Sequence, residues 1–173
     1  MRITGGELSG LRIPTRFASH VRPSTDRVRE SLFNSLQNQD LIEGAQVLDL
    51  FSGSGIMSAE FLSRGAAAVT ALDRDAKNMA NLKALKAMHP LLEPLSIVKG
   101  DVWKWAPEER FDLIFADPPY DMPGIQSLPD RLLTWLKPGG KLLLEHRPQL
   151  VFAQPSEQTR TYGSTTITIF VSP

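Results

Sequence analysis

The tetrapeptide Asp117-Pro118-Pro119-Tyr120 puts an acid, two ring-locked residues and an aromatic face within four positions. That set suits the handling of an exocyclic amino group on a flat nitrogen ring. Such a nitrogen is a poor nucleophile, because its lone pair is delocalised into the ring and a proton must leave as a new bond forms. A carboxylate and a rigid backbone carbonyl that accept its N–H groups localise the lone pair and aim it at an electrophile. Proline fixes φ and stiffens the loop that carries the acceptors. Tyrosine offers a stacking face to a base drawn out of its stack, worth about 1–3 kcal/mol. The catalytic candidates are therefore Asp117, Pro118 and Tyr120.

A second constellation lies upstream. Asp49-Leu50-Phe51-Ser52-Gly53-Ser54-Gly55 follows an apolar run and precedes a helical one. Glycines there permit a tight turn and close backbone approach, and the helix N-terminus offers partial positive charge. Gly53, Gly55 and Ser58 meet the dinucleotide pattern only loosely, so the motif alone points to a nucleotide-like ligand without naming one. Asp73 ends the next apolar run, where a carboxylate accepts from ribose hydroxyls, and Asp101 ends the one after that, within reach of an adenine amino group. Alone, each acid reads as a surface carboxylate or a cap; three acids (Asp49, Asp73, Asp101) at successive strand ends converge on one crevice. The ligand-binding candidates are Asp49, Phe51, Ser52, Gly53, Gly55, Asp73, Arg74, Asp101 and Val102, with Asp117 at the junction of the two sites.

These residues need strands to position them, and the chain supplies the pattern. Apolar runs at 46–50, 69–73, 95–99, 111–116 and 141–145 alternate with helical stretches near 56–64, 75–88 and 127–136, with a turn at Pro138-Gly139-Gly140 before the last strand. Strands separated by helices argue for βαβ units and a parallel sheet covered on both faces. Residues 158–162 and 165–171 read as a terminal antiparallel hairpin. Ahead of this unit, Ile3, Leu8, Leu11 and Ile13 alternate weakly between glycines, the pattern of a short β-hairpin. A helix starts at Ser24 or Thr25, either of which can cap it, with Val28, Leu32 and Leu36 on one face. The expected organisation is an N-terminal extension over 1–23 and one α/β domain over 24–173.

Composition sets limits. The chain has 173 residues, zero cysteines and zero formal net charge. Without cysteine there is no disulfide framework, thiolate zinc site or thiol nucleophile. No apolar run reaches the ~20 residues of a membrane span, and no signal-peptide core opens the chain, so a cytoplasmic protein with no membrane partner is expected. No long apolar face demands a second copy, so a monomer is expected. The three histidines lack metal-ligand spacing, and no metal site is expected. Charge is segregated: residues 1–29 carry Arg2, Arg12, Arg16, Arg22, Arg27 and Arg29 against only Glu7 and Asp26. Guanidinium is the planar cation suited to phosphate and bases, so a polyanion contact is expected near the N-terminus. Trp103 and Trp105 read as packing around the third strand.

Together, DLFSGSG, the strand-end acids Asp73 and Asp101, and DPPY resemble the class I S-adenosylmethionine-dependent methyltransferases over about residues 45–171. RITGGELSGLRIP, VRPSTDRVRESLFNSL and RTYGSTTITIF resemble the RsmD family of bacterial 16S ribosomal RNA guanine-N2 methyltransferases, and that likeness covers essentially the whole chain. Val21-Arg22-Pro23-Ser24 departs from the family's T-R-P-T by losing a hydroxyl at Val21, and Asp73 stands where many methyltransferases have Glu. The resemblance implies a Rossmann-like, mostly parallel seven-stranded sheet ending in an antiparallel hairpin. It implies S-adenosylmethionine as cofactor and 16S ribosomal RNA, free or in a 30S particle, as partner. Gly53 and Gly55 would pass the methionine part, Asp49 would lie near its amino group, Asp73 would hold the ribose and Asp101 the adenine. Asp117 and the Pro118 carbonyl would bind the guanine amino group and Tyr120 would stack on the base. Arg2, Arg12, Arg22, Arg27 and Arg29 would meet RNA phosphates. Rival readings are an adenine-N6 or glutamine-N5 methyltransferase, a non-catalytic RNA-binding assembly factor, and a nicotinamide-dependent oxidoreductase. The last two leave DPPY without a purpose.

Overall fold

Seven strands lie in the order β3-β2-β1-β4-β5-β7-β6, in a computed structural model that describes residues 1–14 and 26–173. They are β1 (Gln46–Leu50), β2 (Ala68–Asp73), β3 (Leu95–Lys99), β4 (Phe111–Ala116), β5 (Leu136–His146), β6 (Gln158–Tyr162) and β7 (Thr165–Val171). The first five run parallel; β7 is antiparallel to both β5 and β6. The helices are α1 (Asp26–Asn38), α2 (Ile56–Ser63), α3 (Ala76–Lys86) and α4 (Leu128–Leu133). The order reverses direction at β1, which places the carboxyl ends of β1 and β4 at the switch point where open α/β sheets bind ligands.

Period two along the strands divides the core between two faces. Val47, Leu113, Phe115, Leu143, Ile167 and Ile169 join the apolar side chains of α1, α2 and α3 on one face. Leu48, Leu50, Ile114, Ala116, Leu142, Leu144 and Phe170 pack against α4 on the other. Asp49 pairs in register with Phe115, and Phe115 with Leu143. Asp117 and Glu145, each two residues further on, therefore fall on the same face as Asp49, one strand apart from each other.

Several elements differ from the pattern read off the sequence. β5 runs through Pro138-Gly139-Gly140 instead of starting after it. The ladder with β4 shifts register there, and the backbone N–H of Gly139 and the carbonyl of Gly140 pair with Ser172. The last helix is a single 3₁₀ turn (Ile125–Ser127) leading into six residues of α4. The N-terminal hairpin consists of one antiparallel bridge, Arg2 with Arg12, tied by the Ile3 N–H to the Leu11 carbonyl at 3.0 Å. The expected cap at Ser24 or Thr25, and Arg16, His20 and Arg22, lie outside the described residues.

The N-terminal arm is held on the end of α2. Glu7 N–H donates to the Ser63 carbonyl at 2.8 Å and Leu8 N–H to the Ser63 hydroxyl at 2.9 Å. Gly6, at φ +75°, is needed there, because a Cβ would stand 1.9 Å from the Ser63 carbonyl oxygen. Beneath the arm, Glu60 is completely buried and accepts from Arg29 Nε at 3.0 Å, Arg64 Nε at 3.4 Å and Thr4 N–H at 2.6 Å. Arg64 completes its donors on Asn34 Oδ1, Gln37 Oε1 and Thr4 Oγ1. Arg29, expected to meet phosphate, is only 1% exposed and also binds the Arg2 carbonyl and Asp26. With Arg64, it joins α1, α2 and the arm. Its helical neighbours show why: Arg29, Leu32, Phe33 and Leu36 are the buried residues of α1, the i, i+3, i+4, i+7 stripe that faces a core.

Candidate active site

The Gly loop leaves β1 under strain. Phe51 has φ +60°, a left-handed conformation that a bulky residue adopts only when its surroundings force it, typically at functional sites. Phe51 and Ser52 N–H groups both donate to the Leu72 carbonyl, which pins the loop to the neighbouring strand. Gly55 starts α2 at φ +77°, and a Cβ there would stand 2.6 Å and 2.7 Å from Leu85 and Leu82. The loop thus approaches α3 too closely for any side chain. Ser52 Oγ is buried with no hydrogen-bond partner, an orphaned polar atom at the turn where a ligand would complete it.

Asp73 organises this corner. Its Oδ2 accepts from Gly53 N–H at 2.9 Å and from Asn78 Nδ2 at 3.1 Å, and its Oδ1 from Asp75 N–H at 2.9 Å. Asp101 Oδ1 caps its own turn by accepting from Trp103 N–H at 2.8 Å. Between them opens a cavity of about 370 Å³, whose walls include Phe51, Asp73, Arg74, Asp101, Val102 and Trp103. That volume lies within the ~300–1,000 Å³ range of small-molecule sites. Its remaining wall is Pro119 and Asp121–Pro123, the segment that continues DPPY. Arg131 of α4 fixes the 101–105 turn by donating to the Val102 and Trp105 carbonyls, each at 2.8 Å.

The third part is a row of acids along one sheet face, with Asp49 and Glu145 buried and Asp117 half-buried. Asp49 is 1% exposed and accepts from the Ser58 hydroxyl. Burial pushes its carboxyl up to about 7; the Ser58 bond opposes this and nearby Asp73 adds to it. Asp117 is pushed up to about 8, first by burial, then by the charges of Glu145 and Asp49. Glu145, 6% exposed, accepts from the Thr165 hydroxyl at 2.9 Å, and Thr165 Oγ1 lies 3.0 Å from the Tyr120 hydroxyl. The Arg147 guanidinium sits 5.0 Å above the centre of the Tyr120 ring.

Of the expected ligand residues, Phe51, Asp73, Arg74, Asp101 and Val102 line the cavity. Asp49, Ser52, Gly53, Gly55 and Asp117, and with them Pro118 and Tyr120, do not line it and lie at or after the ends of β1 and β4. Trp103, read as core, is 37% exposed and faces the cavity. Trp105 does pack inward, edge-on to Trp135 with ring centres 5.5 Å apart. Glu145, Thr165, Arg147 and Arg131 escaped the sequence reading. Trp103 was within reach of it, two residues past a strand-end acid; the others become visible only through strand register and loop packing. Arg2, Arg12 and Arg27 are exposed, with Arg2 3.4 Å from Asp26.

Comparison with known proteins follows the same lines. The model of the family described as "Conserved hypothetical protein 95" matches residues 1–171. "Ribosomal RNA small subunit methyltransferase D" of Haemophilus influenzae is 32% identical over 96% of this chain and 89% of its own length. The protein of the same name from Escherichia coli (strain K12) is 39% identical over 69% of this chain, a stretch that spans 60% of the Escherichia coli protein. The solved structure "Putative methyltransferase yhhF from Escherichia coli" superposes with a TM-score of 0.84 at 28% identity, covering 99% of this chain and 97% of that one.

Proposed function

The chain belongs to the RsmD family, conserved hypothetical protein 95, and from that membership and the site geometry we propose that it is an S-adenosylmethionine-dependent methyltransferase acting on the exocyclic N2 amino group of a guanine in 16S ribosomal RNA. The observation that carries the reading is DPPY at the end of β4, its downstream residues forming one wall of a cavity whose other walls bear Asp73 and Asp101. The orphaned Ser52 hydroxyl and the 370 Å³ cavity fit a ligand of that cofactor's polarity. Asp73 and Arg74 would meet its ribose, Asp101, Val102 and Trp103 its adenine, and the Phe51–Gly55 loop with Asp49 its amino-acid part. When bound, the cofactor supplies a methyl group activated by a sulfonium.

The chain's own residues do the rest. Asp117 and the Pro118 carbonyl accept the two amino N–H groups and turn the nitrogen lone pair toward the cofactor. With its carboxyl raised to about 8, Asp117 takes up the departing amino proton only in its ionised form, so turnover rises as pH approaches 8. Pro119 keeps the loop rigid, and the Tyr120 ring receives the base. No cationic or nucleophilic side chain is needed for this chemistry. Exposed Arg2, Arg12 and Arg27 hold phosphates, and Arg22 joins them by its place in the sequence. The large exposed apolar side chains among the described residues are scattered — Met88, Trp103, Tyr120, Val151 and Val171 — which favours a monomer. A chain with no net charge gains little from free RNA alone, so the assembled 30S particle is the preferred substrate.

Incubation of the protein with labelled cofactor and either 16S ribosomal RNA or 30S particles, followed by nucleoside mass spectrometry, tests the reading. It expects N2-methylguanine, formed faster on particles. N6-methyladenine, or methyl label in protein glutamine, would move the activity to another amino acceptor, and RNA binding without cofactor binding would remove the enzyme altogether.

A further inference from the structure

The Tyr120 ring is 38% exposed in the loop after β4, where its neighbours Pro119 and Asp121 line the cavity, yet it is fixed at two points. Its hydroxyl lies 3.0 Å from Thr165 Oγ1, and its ring lies under the Arg147 guanidinium. Thr165 donates its own proton to Glu145 Oε1 at 2.9 Å. A threonine hydroxyl carries a single proton, so once it is given to Glu145 the direction of the rest of the chain is set. Glu145 takes the threonine proton, which leaves Thr165 a lone pair, and Tyr120 must donate to it. Glu145 and Thr165 are buried, at 6% and 8% exposed, so the bond between them is shielded from water, while the Tyr120–Thr165 bond is only part-buried. The residues come from three different places: β5, the start of β7, and the loop after β4.

We propose that Glu145 is a positioning residue for methyl transfer: acting through the Thr165 hydroxyl, it locks the Tyr120 ring in the orientation that receives the target base. The role rests on the methyltransferase reading above. Arg147 covers one ring face, so a stacking base is directed to the other, and the target amino group is delivered to Asp117 from one side only. Preorganisation of this kind lowers the ordering cost of binding, so its loss falls on KM for RNA. Glu145 has a second effect through charge. Asp117 is faced by Asp49 from β1 and Glu145 from β5, its own loop adds Tyr120, and β7 presents the neutral Thr165. Removing the Glu145 charge makes Asp117 easier to ionise.

Three variants and two readouts test the proposal. Thr165→Val cuts the chain, and the expected result is a rise in KM for 30S particles of about three- to tenfold, the worth of one hydrogen bond, with kcat and cofactor affinity unchanged. Thr165→Ser keeps the hydroxyl and restores KM. Glu145→Gln keeps an acceptor for Thr165 and so keeps KM, while the acidic limb of its kcat–pH profile moves to lower pH. Independently of activity, NMR follows hydroxyl-proton exchange in the protein's two tyrosines; Tyr120 is protected in wild type and Thr165→Ser and exchanges fast in Thr165→Val. Wild-type KM and protection in Thr165→Val overturn the proposal, as does a joint loss of kcat and KM that Thr165→Ser fails to rescue, or an unmoved limb in Glu145→Gln. A wild-type protein that methylates no RNA but keeps its protected hydroxyl overturns the functional reading and the role with it; active wild type with an indistinguishable Thr165→Val overturns the lock alone.

Discussion

Charge is buried at both ends of α2, and the two ends are treated differently. At the C-terminal end Glu60 meets two arginines and a backbone N–H, and Arg64 finds acceptors on Asn34, Gln37 and Thr4 besides lying over the Phe33 ring. At the N-terminal end Asp49, Asp117 and Glu145 line one sheet face, and burial and neighbouring carboxylates hold Asp49 and Asp117 above the ordinary carboxyl range. Phe51 is strained and Ser52 lacks a partner in the same corner. One network is complete within the chain and joins three elements. The other leaves the Ser52 hydroxyl without a partner and sets carboxyl groups against one another, where the proposed cofactor and base would bind. A fully satisfied buried network specifies structure, and a partly satisfied one marks where a protein gives up stability for function.

The widest gap between the two regions should appear when one acid is removed from each. Asp117→Ala is expected to lower kcat by about a hundred- to a thousandfold, the usual effect of losing a preorganised electrostatic partner. Cofactor affinity, read by calorimetry, should stay near wild type and the fold should be at least as stable. Glu60→Ala leaves Arg64 buried without its anion and Arg29 with only Asp26, and should destabilise the protein by about 3–5 kcal/mol in denaturant unfolding. If Asp117→Ala unfolds the protein, or Glu60→Ala is neutral, the contrast is broken. Next in size is Asp73→Ala. It loses a charged acceptor for ribose and releases the Gly53 N–H, so cofactor affinity should fall by about ten- to a hundredfold with kcat at saturation less affected.

How far the sequence foretold these two regions depends on the range of the signals involved. Local ones were legible: the strand runs, the Gly loop, the strand-end acids Asp73 and Asp101, and DPPY each announce themselves within a few residues. The resemblance to the RsmD family was legible for the same reason. Long-range pairing was not. Glu145 lies 28 positions from Asp117, and nothing along the chain says that β5 falls beside β4 with these residues level. Thr165 read only as the first residue of the last strand, with nothing along the chain to link it to Glu145. Arg29 misled in a different way. Its neighbours suggested a basic arm, while its spacing to Leu32, Phe33 and Leu36 placed it on the buried face, and for a charged residue only the presence of Glu60 decides between the two. Pro138-Gly139-Gly140 reads as a strand break by residue type, but pairing with Ser172 carries β5 through it.

The two regions also respond to pH with opposite sign. Asp49 and Asp117 have folded-state values raised to about 7 and about 8 from an ordinary 3.8. Below about pH 4 they are protonated whether folded or not and cost nothing. Between there and pH 7–8 the unfolded chain releases protons that the folded one keeps, so stability falls as pH rises, by about 1.4 kcal/mol per unit of raised value for a fully developed shift. Asp26 goes the other way: its bond with Arg29 holds it below the ordinary range, so its contribution is present above about pH 4 and is lost in acid. Unfolding followed at pH 5 and pH 9 should show wild type weaker at the higher pH and Asp117→Asn much less so. An identical pH response in the two proteins would mean that Asp117 is solvated and would remove the charge asymmetry between the regions.

The smallest effects should come from the arginines that did not become structural. Arg12 and Arg27 are exposed, and Arg27 lies with Arg160 along an open polar groove of α1. Each surface guanidinium that meets one phosphate releases about one counterion, so Arg12→Ala and Arg27→Ala should each lessen the slope of log affinity against log salt by about one or less. Affinity should drop modestly and without regard to sequence, kcat should hold, and unfolding should be unchanged. Arg29→Ala sharpens the contrast, because it removes one of Glu60's two arginines and its loss should appear in unfolding. Fluorescence anisotropy with 16S ribosomal RNA at two salt concentrations separates the cases. A folded Arg29→Ala with an altered salt slope would return that residue to the RNA surface, and an unaltered slope for both Arg12→Ala and Arg27→Ala would move the RNA-binding face away from the N-terminal arm and α1.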